Sequence, residues 1–189
     1  MDASARDVLD FWFGDGNVAR GEWFRKDAGF DAQIRARFGA LVERALAGAL
    51  DGWADGGADA ALARVLLLDQ FTRNIFRDTA RAFEGDASAL AATRRLVAYG
   101  LDLQLAPLRR VFAYLPLEHA EDRAAQRLSI ALFAALVVED PALASYADYA
   151  QRHSAVIERF GRFPHRNAIV GRANTADEIE FLKQPGSGF

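Results

Sequence analysis

The amino-acid sequence predicts an all-α fold of about eight helices. Apolar residues return at helical spacing along nearly the whole chain. No stretch alternates apolar and polar residues with the period of a strand. Residues that start and stop helices also frame these segments.

The first helix, roughly 4–13, starts at Ser4 and stops at Gly14. The second, roughly 29–48, sets Phe30, Ile34, Phe38, Leu41, Val42, Ala45 and Leu46 on one face, with Gly52 as its stop. The stretch "DGWADGGADAA" that follows lacks the Gly-Lys-Ser/Thr ending of a phosphate loop and reads as a turn, with Trp53 packing rather than binding. The third helix, roughly 59–72, carries an inward stripe of Leu62, Val65, Leu66 and Asp69, and the fourth, roughly 86–99, stops at Gly100. Pro107 opens a fifth at roughly 107–114. A sixth spans roughly 119–139, and Pro141 opens a seventh at roughly 142–161 that closes on Gly161. Thr175 and Glu178 have capping-box spacing at the start of the eighth, roughly 175–183. The glycine-rich "KQPGSGF" reads as a frayed end, so the expectation is one domain over 1–184 and a flexible tail over 185–189.

A chain of 189 residues with 51% hydrophobic content can bury the core of one domain. A net charge of -3, with Lys and Arg dispersed among acids, gives no footprint for nucleic acid. There is no cysteine, which removes disulfides, thiolate metal ligands and thiol chemistry. The segment "MDASARDVLDFWFGD" has no secretory pattern, and the apolar run "IALFAALVV" falls well short of the ~20 residues that span a bilayer. A cytoplasmic protein with no membrane partner is expected; its oligomeric state is left open.

Three stretches set ionisable groups into apolar surroundings. In "LLLDQFTRNIFR", Asp69 falls on the core-facing side and needs a partner, which Arg73 supplies four residues on, with Gln70 and Asn74 at the same spacing and Arg77 at i+8. In "PLEHAEDRAAQ", His119, Asp122, Arg123 and Gln126 fall on one helical face beside Glu118 and Glu121. In "RFGRFPHRN", Gly161 and Pro164 force a turn that buries Phe160 and Phe163 while Arg162, His165, Arg166 and Asn167 project together, with Arg172 one segment later. His153 reads as a core histidine. Salt bridges to Asp69, Glu118 or Glu121 and compensation of a helix dipole explain such charges structurally; a donor-rich pocket for a carboxylate or phosphate explains them functionally. Both readings stay open. Three histidines without a zinc spacing point to no resident transition metal, and no cofactor is expected.

The wording "DFWFG", "LLDQFTRNIFR", "PLEHAEDRAAQ", "RFGRFPHRNAIVGR" and "NTADEIEFL" closely resembles a bacterial family of uncharacterised proteins, domain of unknown function 924, over nearly the whole chain. The resemblance implies an all-helical, tetratricopeptide-like arrangement of antiparallel helix pairs and no particular reaction. Where that family commonly has Pro-Leu-x-His-Ser-Glu, this chain has Ala120 in place of the serine.

The expected function is a binding protein whose Asp69, Arg73, Arg77, His119, Glu121, Arg162, His165, Arg166 and Arg172 recognise an anionic small molecule or a peptide carboxylate. The alternatives are a hydrolase-type enzyme using His119 or His165 with Glu121 or Asp122, and a helical adaptor whose charge clusters are structural.

Overall fold

The computed structural model describes residues 3–14 and 18–188. Met1, Asp2 and Asp15 of the N-terminal segment and Phe189 of the expected tail lie outside the described residues. The described chain is helical without strands: α1 (Ala5–Phe13), α2 (Ala28–Leu46), α3 (Ala58–Leu66), α4 (Thr72–Ile75), α5 (Asp86–Ala98), α6 (Pro107–Glu118), α7 (Arg123–Glu139), α8 (Ala144–Phe160) and α9 (Ala176–Leu182). Because α3 runs into α4 through a π-helical turn (Leu67–Phe71), these segments make eight helical rods.

Local chemistry sets most of the ends. Ser4 and Thr175 form capping boxes with Asp7 and Glu178, and Gly161 closes α8 at φ 72°. The stop of α2 is corrected from Gly52 to Gly48, which adopts φ 76° directly after the helix. The third helix passes its expected end at 72 and reaches Ile75, because the π turn carries the same buried face onward through Leu67, Leu68 and Phe71. The fifth passes its expected end at 114. Pro116 removes one N–H from the last turn of α6, but Leu115, Leu117 and Glu118 are all buried there and hold the helix together.

α3 and α6 are covered on nearly every side and form the centre, with α1, α5, α7 and α8 packed around them. The main apolar core runs from Val8 to Ala150 and is rich in rings, with Trp12, Phe38, Phe71, Phe112 and Phe133 fully enclosed; Trp53 packs at its edge. A second, small apolar cluster joins Val156, Ile157 and Phe163 to Phe160 and Phe181. The site lies where these two clusters meet.

Candidate functional site

The centre of the site is Asp69, carried on the π-helical turn and only 1% exposed. π turns inside α-helices occur often at functional positions. The Asp69 Oδ1 atom is ion-paired with Arg73 at 3.0 Å and lies 2.7 Å from His119 Nδ1, and Oδ2 accepts from Gln70 Nε2 at 2.6 Å. Burial opposes its charge, but Arg73, then His119, outweigh burial and hold the carboxyl well below the usual range.

Arg73 reaches onward to Asp86, the first residue of α5, at 2.9 Å. Arg166 donates to the same carboxylate at 3.1 Å. The Arg166 guanidinium lies over the Phe83 and Phe163 rings, at 4.7 and 4.6 Å from their centroids. Its side chain is 9% exposed, and its buried Nε has no hydrogen-bond partner among the described residues. Burial, then the like charge of Arg73, lowers its pKa to about 10.

His119 caps the C-terminal end of α6. Its Nδ1 is committed to Asp69, and among the described residues its Nε2 makes no hydrogen bond. Burial pushes its pKa down; Asp69 opposes the shift and Arg73 adds to it, so the ring is neutral. His119 lies 6.1 Å from His153, whose ring packs edge-on to Phe163, and Phe163 in turn packs on His165 at 5.6 Å. His153 is a core histidine, with Nδ1 2.9 Å from Glu118.

The neighbouring charges are paired across elements. Glu121 accepts both Arg172 nitrogens, at 2.6 and 2.8 Å, together with the Phe163 backbone N–H, which ties the 160s turn to the segment between α6 and α7. Arg162 makes the equivalent paired contact with Glu178 of α9 and donates to the Ala173 carbonyl.

Of the nine expected site residues, Asp69, Arg73, His119 and Arg166 join one network through Asp86, with His165 beside it. Glu121 and Arg172 border it as a pair. Arg162 and Arg77 stand apart. Arg77 is not a continuation of the Asp69 face, because the helix ends at Ile75; it pairs with Asp31 beside a cavity lined by Arg35 and Asn74. Gln70 and Asn74 do not pair with each other: Gln70 turns to Asp69 and Asn74 to Asp31. Nor do Arg162, His165, Arg166 and Asn167 project together, since Arg162 is drawn to Glu178, and Asn167 is buried against Asn174.

The expected single face of His119, Asp122, Arg123 and Gln126 is also corrected. α6 ends at Glu118 and α7 begins only at Arg123, so His119 closes one helix while Asp122 caps the next by accepting from Ala125 N. Gln126 spans the break, donating to the Glu118 and Ala120 carbonyls. Asp69 therefore orients His119, where the sequence suggested Glu121 or Asp122. Asp86 was missed; its one signal, an acid opening a helix, is already explained by the helix dipole.

Burial, then Arg166 and His153, lowers the His165 pKa to about 4 from an ordinary 6.5. A depressed histidine pKa means that the unfolded chain binds the proton first. The stabilisation is full above about pH 6.5 and is lost as the pH falls to about 4, a change of about 3 kcal/mol. Denaturant titrations across that range are expected to show the decline. His119, shifted the same way, adds to it. His165→Gln should flatten the curve.

Residues 8–186 match the family described as bacterial protein of unknown function, DUF924. No curated protein matches the chain. The structure of a protein of unknown function, ATU0120 from Agrobacterium tumefaciens, is 41% identical and superposes with a TM-score of 0.84, over 95% of this chain and 96% of that one.

Proposed function

The chain belongs to that bacterial family of unknown function, DUF924, and because membership names no reaction, we propose from the geometry of the site that the protein binds a small oxyanion, a carboxylate or phosphate, at Arg166, Arg73 and His119. The observation that carries the reading is the under-used guanidinium of Arg166. It has five N–H donors and, among the described residues, one hydrogen bond, and its Nε is buried without a partner. Leaving such a donor unmatched costs stability, and sites that do so are often shaped for a ligand. The Phe83 and Phe163 rings pack close to the guanidinium, and its N–H edge suits the paired oxygens of a carboxylate or phosphate. The four central side chains carry two positive and two negative charges with His119 neutral, so attraction comes from unfilled donors and not from net charge.

The Asp69–His119 pair supports a second reading, acid–base catalysis, since a carboxylate that fixes one imidazole nitrogen leaves the other available for proton transfer. We place the activity in the cytoplasm, on the strength of an acidic, cysteine-free chain.

The test is Arg166→Met. A flexible apolar side chain can keep contact with the two rings, and Asp86 keeps Arg73 as its partner. Loss of one member of a buried ion pair is costly when it strands the other, but here Asp86 keeps Arg73, and the desolvation of the Arg166 cation is relieved. The expected result is a melting temperature equal to or above wild type, together with loss of the stabilisation that small carboxylates or phosphates give the wild type. A wild type that responds to none of these anions, with a destabilised Arg166→Met, would return the site to a purely structural role.

A further inference from the structure

The contacts of the site form a closed circuit. His119 touches Asp69, Asp69 touches Arg73, Arg73 touches Asp86, and Asp86 touches Arg166. Arg166 lies over Phe163, Phe163 packs on His153, and His153 returns to His119. Around this ring the ligand-facing chemistry is of two kinds. Arg166 offers N–H groups, which only donate. His119 offers the opposite. Asp69 is ion-paired with Arg73 and accepts from Gln70, so it is a carboxylate that only accepts, and the proton between it and His119 sits on Nδ1. In a neutral ring that leaves Nε2 with a lone pair.

On the oxyanion reading, a ligand held by Arg166 that reaches across the circuit to His119 meets an acceptor there. An oxygen that carries no hydrogen leaves that lone pair unmatched and faces it with like charge density. An oxygen that carries one completes the circuit. Resting on the oxyanion reading above, we propose that the site selects oxyanions that bring their own O–H donor, hydrogen phosphate or a hydroxycarboxylate, and rejects oxyanions without one, such as sulfate or a simple carboxylate. The discrimination has the usual physical basis: a buried group built to pair with a hydroxyl is left unsatisfied by the analogue that lacks it. His119 is 16% and Arg73 20% exposed, so a small ligand head has some access to both side chains.

The experiment is a comparison of four probes at neutral pH and equal ionic strength: inorganic phosphate, sulfate, glycolate and acetate, each titrated against the wild-type chain by calorimetry and by thermal shift. Hydrogen phosphate retains a P–OH throughout the neutral range and sulfate does not; glycolate differs from acetate by one hydroxyl. The expected result is at least a tenfold preference for phosphate over sulfate, for glycolate over acetate, or for both. A preference in the first pair alone assigns the donor to a phosphate, and in the second pair alone to a hydroxy acid. Equal binding within both pairs would overturn the selection while leaving the oxyanion reading in place. No binding by any of the four would overturn both. His119→Phe supplies a second readout, with the preference expected to collapse towards unity while the Arg166 anchor remains. Should that variant fold poorly, nitrogen NMR of the wild-type imidazole decides the matter: a protonated Nδ1 and bare Nε2 support the proposal, and an imidazolium or the opposite tautomer defeats it.

Discussion

Asp69→Ala is expected to cost about 3–5 kcal/mol, which for a domain of this size lowers the melting temperature by on the order of 10 °C. Three donors converge on the lost carboxylate: Arg73, His119 Nδ1 and Gln70 Nε2. Arg73 retains Asp86 and the Asp69 backbone carbonyl at 2.7 Å, so it is only partly stranded. His119 and Gln70 lose their acceptor in a place where water has little access, and a buried unsatisfied donor carries most of the penalty. Asp69→Asn separates charge from shape. An amide oxygen still accepts from Arg73 and His119, and Gln70 can rotate its own oxygen towards the new NH2, so the loss should be about 1–2 kcal/mol. Chemical denaturation of both variants checks the order. Equal losses would show that the carboxylate is valued for its charge alone.

Gly85→Ala is the other large effect, at about 3 kcal/mol or more. A Cβ at this position would stand 2.1 Å from the Leu68 carbonyl oxygen and 2.9 Å from its carbon, and both are backbone atoms of the π turn that cannot step aside as a side-chain tip can. The requirement is one of approach and not of dihedral angle, since Gly85 has φ -84°. The contact seats the start of α5 against the π turn and sets Asp86 within reach of Arg73 and Arg166. An alanine here should therefore lower the denaturation midpoint and also abolish any response to anions. Gly52→Ala is the control: nothing described lies within 4 Å of the point a Cβ would occupy there and its φ is not positive, so it should be neutral or slightly stabilising.

Helix class and most helix ends were legible because capping is local. Ser4 finds Asp7 three residues on, Thr175 finds Glu178, and Gly161 needs only its own φ. The arginines were visible as an excess, but their partners were not. Spacing pairs a charge with its neighbour four residues away, whereas Arg77 reaches Asp31, Arg162 reaches Glu178, and Arg166 reaches Asp86 across 80 residues. Only tertiary packing chooses among so many acids. The π turn was equally silent: it leaves the apolar stripe intact, and the back-bonding of Thr72 to the Leu68 carbonyl has no separate sequence signature. Asp69 and His119 were found because each is a polar group in an apolar run, yet their pairing over 50 residues was not.

The turn that carries Phe163 meets the rest of the protein along a seam of ion pairs and rings, with Arg166 on Asp86, Arg172 on Glu121 and Phe163 against His153. Parting that seam separates charges and uncovers the buried Phe163 ring, so its opening responds to salt as well as to the hydrophobic effect. The chain beyond Gly161 is the C-terminal unit that the seam closes. A bound anion that engages both Arg73 and Arg166 would hold the two sides of the seam together, so occupancy of the site and closure of the C-terminal unit become a single equilibrium.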